Sequence, residues 1–340
     1  MRRRKSKRRS TARAAQSVIV EVPGTTANMG TGFDVLGMAL GLSNRCWLRR
    51  ATGRGMEWRG ASAPALAMMR SAAAAFFKRA DRKPYGFSLE VGGRVPIARG
   101  LGSSVTVRLG VVAGLNQLSG SPLDREDLLS LVTQLEGHPD NAAPAVFGGL
   151  AVSALEGRGR DAQVRHVRFP VDPSLKFLLI IPEARLETEK ARKVLPRSYS
   201  RADAVHNLGR ACLLTAALVS RSYDLLWCAT EDRLHQPYRA RLFRPLYPVL
   251  AAARKSGALG GWLSGSGSTV CLVMKGGTDK IVRAVKRVMP RAMRWAYQVV
   301  RADNRGFRIL KNNVPPRPSR STGRGKIRAA RKRPINRVIV

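Results

Sequence analysis

Pro96-Ile97-Ala98-Arg99-Gly100-Leu101-Gly102-Ser103-Ser104 runs directly into Val105, Leu109, Val112 and Leu115, apolar residues at helical spacing. A glycine-rich turn that opens a helix lets backbone N–H groups converge on an anion, because no Cβ intervenes. The positive end of the helix dipole adds to that field. Ser103 or Ser104 can cap the helix or ligate a magnesium ion carried on phosphates. The stretch is not a G-x-x-x-x-G-K-[ST] loop, and no G-x-G in the chain is followed by the third glycine of a dinucleotide fingerprint. If phosphate binds here, the nucleotide fold is a different one. A merely structural turn is the alternative that these residues leave open.

Outward from that loop, 86–91 alternates as a strand, and 64–80 reads as a helix rich in Ala, Met and Leu. Residues 18–22 read as a strand broken by Pro23-Gly24, and another strand is expected near 43–50. Downstream, Ser121 as N-cap with Pro122 at the first helical position predicts a helix that ends at Glu136-Gly137. Residues 176–181 read as a buried strand. Helices are expected over 203–220, 223–232, 246–256 and 280–289. A glycine turn runs into a strand over 263–274, and a further strand covers 294–300. This alternation implies an α+β or α/β protein.

The 340 residues carry 61 Lys+Arg against 22 Asp+Glu, a net charge of +39, yet 44% are hydrophobic, which suits a globular core rather than whole-chain disorder. Residues 1–16 and 313–340 hold no acid and are read as disordered basic arms. Such arms either solubilise the chain or bind nucleic acid and other anions weakly and without sequence preference. No apolar run reaches the roughly 18 residues a membrane-spanning helix needs. Cys46, Cys212, Cys228 and Cys271 lie far apart, which predicts a reduced, cytoplasmic setting.

Glu136-Gly137-His138-Pro139-Asp140-Asn141 packs two acids, an imidazole and an amide into a helix end. It is either a plain Pro-Asp turn, or a site in which Glu136 ligates Mg²⁺ while His138 and Asn141 touch substrate. Zinc is disfavoured, since the four histidines show no ligand spacing. Thr188 and Arg192 share one helix face at i and i+4. Arg239, in His235-Gln236-Pro237-Tyr238-Arg239, offers a planar fork for a carboxylate.

Six segments in order, spanning roughly 18–310, resemble the homoserine kinase family within the galactokinase, homoserine kinase and mevalonate kinase superfamily. They are Val22 to Asp34, Pro96 to Ser104, Glu136 to Leu150, Thr188 to Pro196, His235 to Arg239 and Leu263 to Val270. The resemblance implies a two-domain α+β kinase fold. Residues 17–170 would form an N-terminal ATP-binding domain like ribosomal protein S5, and 171–312 a ferredoxin-like C-terminal domain. It implies transfer of the ATP γ-phosphoryl to the side-chain hydroxyl of L-homoserine, on the path to threonine, by a homodimer.

Carried over residue by residue, Pro96, Ile97, Ala98, Arg99, Gly100, Leu101, Gly102, Ser103, Ser104, Val105 and Thr106 would hold the ATP phosphates. Ser104 and Glu136 would hold Mg²⁺. Asn28, Asp34, His138, Asn141, Arg192 and Arg239 would surround homoserine, with Asp34 on its ammonium and the two arginines on its carboxylate. Asn141, Thr188 and Arg192 would act at the transferring phosphoryl, and 264–268 would support the site from the second domain. The chain departs from the family after Ser104, where Val105-Thr106-Val107-Arg108 replaces small residues. Arg108 either faces solvent or adds a charge near phosphate. Two competing readings are the same fold acting on another carboxylate-bearing alcohol, and a basic nucleic-acid-binding or anion-binding protein with weak catalysis.

Overall fold

The computed structural model describes residues 16–53, 55–58, 63–157 and 163–310, together with the short strand Val338–Ile339. The arms expected over 1–16 and 313–340 therefore lie outside the described residues, apart from position 16 and that strand.

Strand β1 (Ser17–Ala27) pairs antiparallel with β2 (Leu36–Arg50), which pairs with β4 (Phe87–Gly93); β4 runs parallel to β3 (Met56–Trp58). Strand β5 (Leu150–Glu156) pairs with β2 and with β6 (Gln163–Phe169). Strand β11 (Arg308–Leu310) returns to the outer edge of β1. The strand expected to stop at Pro23-Gly24 instead continues to Ala27. The pairing register slips between those two residues, and such an irregularity accommodates both a missing N–H and a glycine within a strand.

On one face of this sheet lie α1 (Ala63–Arg79), α2 (Ser103–Leu118), α3 (Arg125–Glu136) and α4 (Ala142–Phe147). Val18, Val20, Val22, Cys46 and Leu48 pack there against Phe76, Val105, Leu109, Val112 and Leu129. Helix α3 starts later than Ser121-Pro122 suggests. Asp124 is its N-cap, accepting from Asp127 N at 2.8 Å, while the Asp127 side chain reaches back to Asp124 N. This reciprocal pair satisfies two otherwise orphaned donors, and one hydroxyl at Ser121 could not.

The second sheet runs β12 (Val338–Ile339), β10 (Trp295–Val300), β7 (Lys176–Pro182), β9 (Val270–Met274) and β8 (Gly260–Leu263). Its apolar runs are continuous because both faces are covered. Phe177, Leu179 and Ile181 face the first sheet's Leu36, Met38 and Leu40, whereas Leu178 and Ile180 face the opposite core. That opposite core is built by α9 (Leu246–Lys255) and α10 (Thr278–Val288). The period-2 alternation thus survives within an unbroken hydrophobic stretch.

Between β7 and β8 the chain forms α5 (Thr188–Lys193), α6 (Arg201–Ser220), a 3-10 turn at Tyr223–Leu225, α7 (Leu226–Ala229) and α8 (Gln236–Arg239). The helix expected over 223–232 is broken into the 3-10 turn and one α turn. The two sheets meet through Trp262, whose ring nitrogen donates to Thr26 Oγ1 at 2.9 Å. No helix among the described residues is long and apolar enough to cross a membrane.

Candidate active site

The turn between β4 and α2 places Ala98, Gly100 and Gly102 at φ of 53°, 72° and 66°, with ordinary residues between them. Such alternation points successive N–H groups into one concavity. Gly102 is the N-cap of α2, and no side chain caps that end. The helix's first N–H groups and its positive dipole end are thereby available to an anion. Leu101, Val105 and Thr106 are buried and anchor the turn from behind, while Ile97 is exposed at its rim.

Backbone contacts hold the turn in place. Leu101 O accepts from Thr25 N at 3.1 Å, Gly100 O accepts from Ser264 Oγ at 2.6 Å, and Arg99 O accepts from Thr269 N at 3.2 Å. A Cβ on Gly100 would lie 2.0 Å from Ser264 O, so the first glycine turn and the 264–268 turn touch main chain to main chain. Asn44 ties both ends of the loop, accepting from Val95 N at 3.1 Å and donating to Thr106 Oγ1 at 2.9 Å. Nothing in the local sequence around Asn44 marks it, because its partners lie more than 50 positions away.

Ser104 sits one residue inside α2 and Glu136 is the last residue of α3. Ser104 Oγ donates to Glu136 Oε2 at 3.0 Å, so the hydroxyl and the carboxylate share one spot at the loop's mouth. These are hard oxygen donors of the kind magnesium prefers, and they suit a site in which phosphates and water complete the shell. Arg108 lies one turn beyond Ser104 and reaches Glu136 Oε1 at 2.6 Å, so its charge is turned towards that carboxylate and only partly towards solvent.

The turn after α3 is a second network. His138 Nδ1 meets Asp140 Oδ1 at 2.5 Å, Asn141 Nδ2 donates to Asp140 Oδ1 at 3.1 Å, and Thr25 Oγ1 donates to Asn141 Oδ1 at 2.6 Å. Asp140 is 1% exposed, so its charge needs these partners. Burial of the His138 ring works against its charged form, but the hydrogen bond and charge of Asp140 outweigh it and raise the pKa. The stabilisation from this pair is therefore complete below the unfolded value of about 6.5 and is lost as pH climbs through the folded value. Asp140→Asn is expected to move the His138 titration to lower pH, read by NMR of the ring protons; an unmoved titration contradicts the pairing.

The remaining site residues converge from the other side. Asn28 donates to Gly265 O at 2.9 Å and accepts from Asp34 N at 3.0 Å. Asp34 receives both Arg192 nitrogens, at 2.7 and 3.0 Å. Carboxylate atoms of Asp34 and Asp140 and a ring nitrogen of His138 lie within 4.8 Å of one another, which brings two distant sequence segments to one place.

Arg239 is 2% exposed, donating to Ala191 O at 3.2 Å and to Gly265 O at 3.0 Å, and its guanidinium lies 5.2 Å from the Phe33 ring centre. Burial, helped by the Arg192 charge, lowers its pKa to about 10, so it stays cationic at neutral pH. His235 is fully buried and its pKa is lowered by burial. As a neutral ring it donates from Nε2 to Gly30 O at 2.7 Å and leaves Nδ1 to accept from Arg239. Thr188 is the exposed first residue of α5, and no hydrogen bond ties it to the other site residues. Thr25, Asn44 and Asp140 were absent from the sequence-derived set. Thr25 and Asp140 stand inside quoted motifs, so proximity was their only signal.

A glycine turn opening a helix, a serine and glutamate at its mouth and a charged cleft beside it are arranged as a small-molecule kinase needs them, and the class is given by the family models. Residues 67–149 match the family model for the GHMP kinases N terminal domain, and 213–291 match that for GHMP kinases C terminal. The homoserine kinase of Clostridium botulinum (strain Eklund 17B / Type B) is 36% identical over 299 residues, covering 86% of this chain and 99% of that protein. That of Moorella thermoacetica is 40% identical over 282 residues, covering 80% and 93%. The crystal structure of homoserine kinase from Cytophaga hutchinsonii superposes with a TM-score of 0.76 at 26% identity, covering 90% of this chain and all of that one. The chain belongs to the homoserine kinase family. Its fold is that of an α+β kinase, shared with the mevalonate kinase of L. major at a TM-score of 0.64 and 17% identity.

Proposed function

We propose that this chain transfers the γ-phosphoryl group of ATP to the side-chain hydroxyl of L-homoserine, giving O-phospho-L-homoserine. The observation that carries this reading is the meeting of Ser104 and Glu136 at 3.0 Å, at the mouth of the 96–106 turn and at the start of the His138-Pro139-Asp140-Asn141 turn. Curated relatives named homoserine kinase, aligned over most of the chain, support the choice of acceptor.

Phosphoryl transfer asks chiefly for positioning and for neutralisation of charge on the phosphate oxygens. The 96–106 turn and the N-terminus of α2 would hold the triphosphate through their N–H groups. Ser104 and Glu136 would hold Mg²⁺, which when bound supplies positive charge between phosphate oxygens. Homoserine is a zwitterion: Asp34 takes its ammonium and Arg192 its carboxylate, with Asn28 and His138 alongside. Asp34 and Arg192 pair with each other, each side chain about one-third exposed. Such a pair contributes at most about 1 kcal/mol, so the zwitterion can replace one ion pair with two at little cost. Arg239 backs this cleft from beneath, fixing Ala191 on α5 and Gly265 on the second turn. Thr188, the first residue of α5, would act with Asn141 and Arg192 at the transferring group. Residues 17–170 and 171–312 form the two domains of this reading, with β11 crossing back to the first. A homodimer, a place in threonine formation and a cytoplasmic setting belong to the same reading, as does weak anion binding by the basic arms.

Purified protein with ATP and Mg²⁺ is expected to phosphorylate homoserine, and to phosphorylate serine and threonine far less. Equal rates on all three would overturn the assignment of acceptor. Salt-sensitive RNA retention on filters that vanishes without 1–16 and 313–340 would support the reading of the arms.

Asn141 offers an amide rather than a base, and both its polar atoms are engaged by Thr25 and Asp140. Asn141→Asp is therefore expected to lower kcat by about tenfold or more rather than raise it, because the new carboxylate would face Asp140 where Nδ2 now donates. A kcat at or above wild type would show that this position lacks only a base.

A further inference from the structure

Glu136 has a partner that the kinase reading does not use. Its side chain is 9% exposed, and a carboxylate so placed is costly without an opposite charge. Ser104 supplies one hydrogen bond to Oε2. The charge comes from Arg108 Nη1, 2.6 Å from Oε1. Residues 104 and 108 are one helical turn apart on α2, so both side chains project towards the same spot on α3. Arg108 Nε and Glu136 Oε1 are both buried with no hydrogen-bond partner, so the contact is a pairing of charges rather than a well-formed hydrogen bond, and the guanidinium is incompletely satisfied where it sits. The two-pronged Asp34–Arg192 pair nearby uses its nitrogens more fully.

We propose that Arg108 is the resident counter-ion of Glu136 and competes with the divalent cation for that carboxylate. This rests on the reading of Ser104 and Glu136 as the metal-holding pair. Without nucleotide, Arg108 neutralises Glu136 and holds the ends of α2 and α3 together. A divalent cation held by Ser104 and Glu136 would share that carboxylate with the guanidinium, and the two positive charges would repel. Loading therefore requires Arg108 to release Oε1, and the arginine sets how much metal the enzyme needs. It is a positioning residue that acts through Glu136.

The test is Mn²⁺ affinity, measured by EPR on the full chain with a non-hydrolysable ATP analogue. Arg108→Met keeps much of the stem and removes the charge. It is expected to bind Mn²⁺ about tenfold more tightly, a modest fraction of the bare Coulomb term between such charges. Its metal-free form should melt at a lower temperature and gain more from Mn²⁺ with the analogue than wild type does. Arg108→Lys restores the charge and should return affinity to within about twofold of wild type by the same electrostatic argument. Arg108→Gln, which is likewise uncharged but keeps a polar end beside Glu136, gives the same reading should the methionine variant not fold.

Unchanged or weaker Mn²⁺ binding in the uncharged variants overturns the proposal. Glu136→Gln separates the two levels of inference. If it abolishes Mn²⁺ binding while Arg108→Met has no effect, only the counter-ion role fails. If Glu136→Gln leaves Mn²⁺ binding intact, the metal-holding pair itself is wrong.

Discussion

Glu136→Gln is expected to lower kcat by on the order of a hundredfold to a thousandfold, the range seen when one electrostatic element of a transition-state clamp is removed. Glutamine can still accept the 3.0 Å hydrogen bond from Ser104, so local packing has a partner of nearly the same shape. What disappears is the negative charge. On the proposed reading the metal would lose the carboxylate at the loop's mouth, and Arg108, whose side chain is 21% exposed, loses its counter-ion. The variant should therefore fold, melt somewhat lower than wild type, and fail chiefly in turnover. Steady-state kinetics at saturating ATP together with thermal unfolding check this. A kcat within tenfold of wild type on a folded protein would remove Glu136 from the machinery.

Gly100→Ala should be the more damaging change to the fold. The new Cβ would lie 2.0 Å from Ser264 O and 2.9 Å from both Gly267 N and Gly267 O. These are main-chain atoms, so no rotamer change relieves the clash. The residue's φ of 72° adds a left-handed penalty of about 1 kcal/mol for any side chain. The two turns must separate, at a cost of about 3 kcal/mol or more by analogy with other overpacked, strained sites. Because the separation spreads the N–H groups of the anion cradle, the KM for ATP should rise at least about tenfold. Gly209→Ala is the control. Gly209 lies on α6 with nothing within 4 Å of its would-be Cβ, and alanine there should stabilise by about 1 kcal/mol. Equal melting temperatures for the two variants would refute the steric account.

Much of this was legible where periodicity or turn chemistry is strong. The strands at 86–91 and 176–181, the helix after Ser104 and the glycine end of α3 at Gly137 all stand close to where the sequence places them. Strands β5 and β6 were not foreseen. Residues of β6 such as Arg165, Val167 and Arg168 are exposed, so no buried face imposes a pattern, and the register comes from pairing with β5. Helix α4 is only six residues long and contains Pro144, a signal that ordinarily argues against a helix.

For the site, motif order was enough to nominate the residues, but not to say how they are engaged. That Asp34 and Arg192 hold each other, that Arg239 grips carbonyls, and that Arg108 turns towards Glu136 are facts of three dimensions. Local spacing carries no information about them.

Strand β11 lies beside β1, with Leu310 opposite Ile19. Nearly the whole polypeptide must leave the ribosome before that edge can be filled. The first half of the nascent chain therefore waits with one flank of its sheet unpaired, and a fragment ending near residue 170 would carry that open flank permanently. Vectorial synthesis does not complete this molecule piece by piece; a strand made late sews shut the part that was made first.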